Sequence, residues 1–143
     1  MLDREEIVAS ARSWMGVRWK HQGRSRAGID CAGLIIKVAH ALEVTDFDST
    51  NYGRQPDGKT LLELFDEHLV RKATRTPEPG DAGLFRESVH PLHCAIFSWR
   101  RGRLHLVHGH ATRRKVVEEP FDHEWPERLI YVHEFPGVEP WAG

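Results

Sequence analysis

The 143-residue sequence holds only two cysteines, which excludes a disulfide-stapled scaffold. No apolar run approaches the ~18 residues that a membrane-spanning helix needs, so no membrane insertion is expected. The first residues, Met1-Leu2-Asp3-Arg4-Glu5-Glu6, are charged with no apolar stretch behind them and do not read as a secretory signal. Synthesis in a reducing cytoplasm, with both cysteines as thiols, is therefore expected. A charge excess of either sign is also lacking: Lys+Arg 20 against Asp+Glu 21 leaves a net charge of −1 with His neutral. Nucleic acid is then not an expected partner, because phosphate binding needs surplus positive charge on one face. Internal repeats and low-complexity tracts are absent. A chain of this size buries roughly 68% of the surface its unfolded form exposes, enough for one core without staples. Residues 1–143 read as a single domain, with 136–143 as a C-terminal tail.

What the sequence does have is histidine: ten in all, six of them between His90 and His123. Histidine titrates near neutral pH and is the commonest metal ligand, so chemistry is expected in the second half. The elements that would carry it can be read from periodicity. Asp3 followed by Glu6 is a helix start, and Ile7, Val8, Ala11, Trp14 and Met15 recur at helical spacing up to Gly16. Val17 to Lys20 reads as a short extended piece and His21 to Gly28 as a loop. Asp30 is placed as the N-cap of a helix that is apolar nearly all round from Ala32 to Leu42, hence buried. Thr45 to Lys59 is polar and turn-rich, an insertion between elements. Thr60 with Glu63 marks a third helix with an apolar face of Leu61, Leu62, Leu64, Phe65 and Leu69.

After Pro79-Gly80-Asp81 the pattern changes to strands: Ala82–Phe85, His93–Trp99, Leu104–His110, Lys115–Val117 and Leu129–Phe135. Helices first and consecutive strands afterwards predict an α+β fold, with N-terminal helices packed on a central antiparallel sheet of about five strands.

Cys31 would be the first residue of the buried helix. A helix N-terminus carries about half a positive charge and favours thiolate over thiol. The bland alternative is a small apolar core residue. A nucleophilic thiol wants an imidazole within reach, itself oriented by a third group. Strand alternation puts His93, Ala95, Phe97 and Trp99 on one face and Cys94, Ile96 and Ser98 on the other. Cys94 reads as a core thiol. In the next strand His108 and His110 share a face and either could orient His93, while His105 on the opposite face reads as a solvated rim residue. The set His93, His108 and His110 is also a possible three-imidazole metal site. Arg24, Arg26, Arg100, Arg101, Arg103 and the Arg113-Arg114-Lys115 run read as solvated loop charge, with contact to carboxylates of a substrate as the sharper alternative. Trp99 and Trp125 read as core or rim packing. Trp141 follows Pro136-Gly137, and if exposed it would hint at a partner.

These residues together resemble the NlpC family of papain-like cysteine peptidases, which cut the peptide stems of bacterial cell wall. Gly16-Val17-Arg18-Trp19-Lys20-His21-Gln22-Gly23 is similar to the family's entry segment. Gly28-Ile29-Asp30-Cys31-Ala32-Gly33-Leu34-Ile35 is similar to its Gly-x-Asp-Cys-Ser-Gly-Leu nucleophile motif, with Ala32 in place of the usual Ser. His93-Cys94-Ala95-Ile96-Phe97 resembles its His-x-x-Ile-aromatic strand, and Leu106-Val107-His108 the strand that ends in an orienting residue.

The resemblance implies a triad of Cys31, His93 and His108, with His110 in reserve. It implies oxyanion or substrate contacts from the Cys31 N–H, Trp19, His21, Asp30 and Ala32; Trp19 stands where a Tyr is frequent. No cofactor and no metal are implied. The implied substrate is peptidoglycan stem peptide. The Trp-Lys-His-Gln segment in a short, signal-free chain looks like the branch carried on phage or gene-transfer-particle tails. There it would sit beside other tail-tip proteins, ride with the virion and act in the target cell's periplasm. A catalytically silent tail-tip protein of the same fold is the alternative.

Overall fold

A computed structural model describes residues 1–50, 52, 59–87 and 90–143. Parts of the expected Thr45–Lys59 insertion, residues 51 and 53–58, lie outside the described residues. The element order is α1 (Arg4–Arg12), β1 (Arg24–Ser25), β2 (Gly28–Ile29), α2 (Cys31–Ala41), α3 (Thr60–His68), β3 (Val70–Arg71), β4 (Ala82–Glu87), β5 (His90–Arg100), β6 (Arg103–His110), β7 (Lys115–Pro120), α4 (Trp125–Arg128) and β8 (Leu129–Glu134). The fold is α+β, as expected. Its main sheet has six strands rather than five, ordered β3-β8-β4-β5-β6-β7 and antiparallel throughout. The extra strand, β3, is two residues at one edge, paired with Glu134 and His133 of β8. So short a piece leaves no alternation to read. The loop expected from His21 to Gly28 contains the β1–β2 hairpin.

The two faces of the sheet bury different side chains, as the period of two requires. Leu84, Cys94, Ile96 and Val107 join α1, α2 and α3 in one core through Ile7, Ala11, Leu34, Ile35, Val38, Leu61 and Phe65. Phe85, Ala95, Phe97 and Leu106 form a second core with Trp125, Leu129 and Val132. A cavity of about 40 Å³ lies between α2 and α3, lined by Ala32, Ile35, Leu61 and Phe65 among others.

Strands β5 and β6 pair only from Arg100↔Arg103 to Ile96↔Val107. Beyond that point β5 stays with β4, through Phe85↔His93, and β6 stays with β7, through His110↔Lys115. The start of α2 lies against the freed end of β6. A Cβ on Gly109 would stand 3.1 Å from the Asp30 carbonyl carbon and 3.4 Å from the Cys31 nitrogen, so glycine permits this approach.

Several local expectations are corrected. α1 ends at Arg12 and the chain turns through Gly16, so Met15 leaves the apolar face and is exposed. Thr60 is the first helical residue of α3, with Lys59 at the cap position. His105 is buried, not solvated: α1 covers that end of the sheet, and Arg12 reaches Glu118 and the Trp99 carbonyl there. Arg24 is not a solvated charge either; it is bonded to Asp48, Ser49, Tyr52 and Asp30. Arg26 lies over the Trp14 ring, 3.7 Å from its centroid. Trp141 is half-buried and packs on the exposed Trp99, ring centroids 5.2 Å apart, so the tail folds back on the sheet instead of standing free.

Arg4 fastens this assembly. Only 3% exposed, it donates to Asp81 Oδ1 at 2.8 Å, to the Pro79 carbonyl at 2.9 Å, to Glu134 Oε2 at 2.8 Å and to the Glu139 carbonyl at 2.7 Å. It thereby links α1, the Pro-Gly-Asp turn, β8 and the tail. Asp81 is fully buried and shares the ion pair with Lys72. Removing one partner of a buried pair leaves a charge without compensation, so Arg4→Ala should cost about 3 kcal/mol. Urea denaturation of the two proteins measures this; a loss near zero would remove Arg4 from this role.

Candidate active site

Asp30 caps α2 and organises everything around Cys31. Its Oδ1 accepts from the Gly33 N–H at 2.8 Å and from Arg24 at 3.2 Å. Its Oδ2 accepts from the Gln22 N–H at 2.7 Å and from the Tyr52 hydroxyl at 2.8 Å. The carboxylate is 4% exposed, and this number of donors is what makes its burial tolerable. Cys31 follows as the first residue of the helix and is half-buried. Its N–H, in the first turn, has no intrahelical acceptor.

His93 and His108 come from the two strands that part. His93 Nε2 lies 2.6 Å from His108 Nδ1, and both rings are buried. His108 Nε2 lies 2.8 Å from Glu119 Oε2 on β7. The other Glu119 oxygen accepts from the Trp125 indole N–H at 3.3 Å and from Arg113 at 3.4 Å. The His93 ring also reaches the Cys31 thiol, which in turn contacts the Cys94 thiol. His93, His108 and Glu119 thus form one continuous hydrogen-bonded line, with the Cys31 thiol at its His93 end. His93 and His108 direct their nitrogens at each other, not at a common point as a three-imidazole metal site would need. Among the described residues no His/Cys/Asp/Glu group is arranged to hold a metal ion.

The electrostatics favour an ionised sulfur. The neighbouring Cys94 thiol is the largest cause that pulls the Cys31 thiol well below its ordinary range; the His93 contact adds to it, against burial. Cys94 is pushed the opposite way, first by burial and then by Cys31. Burial also lowers His93, opposed by the Cys31 thiolate. The Cys31 thiolate is therefore the chief support that a proton on His93 has against burial. Burial lowers His108 as well, and its bond to Glu119 works against that.

The remaining expected site residues fall around this line. His110 packs edge-on to His93, centroids 5.4 Å apart, while His108 makes the hydrogen bond to it. Trp19 bridges to Ile29 and its backbone N–H donates to the Arg114 carbonyl. His21 packs edge-on against Tyr52. Ala32 is buried in the helix-side core and lines the cavity there, where it presents no polar group.

Four residues of the site were not in the expected set. Glu119 lies on a strand expected to stop at Val117. Tyr52 sits in the insertion, 22 positions from the carboxylate it holds. Burial and the Asp30 carboxylate push its phenol up. Cys94 was expected only as a core thiol; it is fully buried, yet it touches the sulfur of Cys31. Trp125 covers His93 and His108. The alternation of β7 opposite β6 would have found Glu119, since it stands across from Leu106 on the face of His108.

No family model matches the chain. Among curated proteins it is similar to the murein DD-endopeptidase MepS/murein LD-carboxypeptidase of Escherichia coli K12, 24% identical over 125 residues. That match covers 87% of this chain and 59% of the relative, so the chain spans less than two thirds of that protein's length. Among solved structures it is similar to an NlpC/P60 family protein from Bacillus cereus ATCC 10987, with a TM-score of 0.68 and 15% identity over 92% of this chain and 40% of that one. It is also similar to the NlpC/p60 domain of the peptidoglycan hydrolase SagA, with a TM-score of 0.65 and 17% identity over 93% of this chain and 99% of that one. The fold is that of NlpC/P60 proteins.

Cys94 supplies a test of the local electrostatics. Iodoacetamide alkylation of Cys31, followed against pH, should be half-maximal at least one unit below the ~8.5 of a free thiol. In Cys94→Ala the midpoint should rise, because the thiolate loses its strongest donor. An unchanged midpoint would show that the Cys94 contact does not stabilise the thiolate.

Proposed function

We propose that the chain is a cysteine peptidase that hydrolyses amide bonds in peptidoglycan stem peptides. The observation that carries the reading is the Cys31 thiol against His93, with His93 bonded to His108 at 2.6 Å. A thiol at a helix start beside an oriented imidazole is equipped for acyl transfer. The Cys31 sulfur attacks the amide carbonyl, and the Cys31 N–H donates to the oxygen as it becomes negative. The proton held between sulfur and His93 passes to the leaving amine. The resulting thioester is hydrolysed by a water from which His93 takes a proton, returning the site to its starting state. His108 holds the His93 ring throughout. The names of the relatives, a murein endopeptidase and a peptidoglycan hydrolase, supply the substrate class.

The resemblance of the Trp19-Lys20-His21-Gln22 segment to the tail-associated branch supports a place at the tip of a phage-type tail, where the domain would open the wall locally during DNA delivery. Mass spectrometry of purified particles checks that context; a chain absent from every particle preparation removes it.

Digestion of isolated sacculi tests the chemistry. Wild type should release soluble stem-peptide fragments, and Cys31→Ala should fall to background while keeping its melting temperature. A Cys31→Ala protein with full wall-degrading activity would overturn the mechanism.

A further inference from the structure

The line from Cys31 to Glu119 has a direction, and its last member sets it. Glu119 Oε1 takes two donors, from Trp125 and Arg113, while Oε2 faces His108 Nε2 at 2.8 Å. With Oε1 already taken by two N–H donors and its carboxyl pulled down to about 2, chiefly by the His108 hydrogen bond, Glu119 is ionised and can only accept. The hydrogen between Glu119 and His108 therefore belongs to His108 Nε2. A neutral His108 then has a bare Nδ1. The 2.6 Å contact from that atom to His93 Nε2 needs one hydrogen, and it must sit on His93. A neutral His93 is left with a bare Nδ1, the only ring nitrogen free to take a proton from the Cys31 thiol or from water.

We propose that Glu119 is a positioning residue that fixes the tautomers of two successive imidazoles, so that the nitrogen His93 offers to Cys31 is always the basic one. The inference rests on reading Cys31 and His93 as the reacting pair. Glu119 touches neither of them; it acts through His108. Reversing the last bond reverses the whole line. A glutamine at 119 can donate its amide to His108 Nε2. His108 must then carry its hydrogen on Nδ1, His93 must accept at Nε2, and His93 faces Cys31 with an N–H that cannot receive a proton.

The tautomers can be read directly from nitrogen-15 chemical shifts of the histidine rings in the wild-type protein at neutral pH. The expected result is Nε2-protonated His108 with a bare Nδ1; an Nδ1-protonated His108 would overturn the proposal whatever any variant does. Kinetics supply the second arm, with sacculus fragments as substrate. Glu119→Gln should keep KM and the fold and lose roughly a hundredfold or more in kcat, on the scale of a lost general base. The alkaline limb of its kcat/KM profile should move to lower pH, because the carboxylate no longer supports a cation on the rings. Glu119→Asp keeps an acceptor-only charge and should recover part of the rate. A Glu119→Gln protein with wild-type kcat and pH profile sinks the proposal, and so does a Glu119→Asp protein as slow as Glu119→Gln. Wild type that shows the expected tautomers yet never cleaves wall fragments would sink the peptidoglycan reading alone.

Discussion

The site depends on one buried carboxylate. Asp30 is held by donors from the Gln22 and Gly33 backbone, from Arg24 and from Tyr52, which belong to three separate stretches of chain. An ionised group so far from water is stable only while those donors are in place. Its effect on the neighbouring sulfur is adverse, since a negative charge next to Cys31 opposes thiolate formation. The structure accepts that cost because the same carboxylate ends the strand-like approach and starts the helix at one defined residue. Position is gained from Asp30, while Cys94, His93 and the helix N-terminus supply the favourable field.

The second constraint is topological. Cys31 packs with the helix-side core, whereas the face that carries His93 and His108 belongs to the opposite core around Phe85, Phe97 and Trp125. In an unbroken sheet the backbone would stand between thiol and imidazole. The parting of β5 and β6 beyond Ile96↔Val107 removes that wall, and Gly109 clears room for the start of α2. Opening the sheet also leaves the freed ends of both strands to be tied otherwise. His93 bonded to His108 and His108 bonded to Glu119 do this with side chains, so the side chains of the site also hold together the three strands that carry it.

Local signals carried the reading of the sequence well and long-range ones poorly. The Asp30 cap, the buried helix behind it and the alternation that sets His93 apart from Cys94 and puts His108 with His110 on one face of its strand all follow from nearest neighbours in the chain. Glu119 was missed because Glu118-Glu119-Pro120 looks like the end of a strand by charge, and only pairing with β6 shows that it continues. Tyr52 could not have been found, since nothing in the sequence says that the insertion returns to Asp30. His105 shows the converse error. Alternation gave its face correctly, but whether that face is covered depends on where α1 lies, which no local pattern states.

The Arg4 cluster has a bearing on how the chain can be joined to others. Leu2 pairs with Val138, and the Glu139 N–H donates to the Leu2 carbonyl at 2.9 Å. The chain therefore enters the fold at Leu2 beside Val138 and Glu139, and its tail then runs on to Trp141 against Trp99. A polypeptide that carried this unit between two neighbours would enter it beside the Val138 segment and leave it past the Trp141–Trp99 contact. Force along such a polypeptide would load the Leu2–Val138 pairing and the Arg4 contacts first, and only afterwards the strands that hold the site.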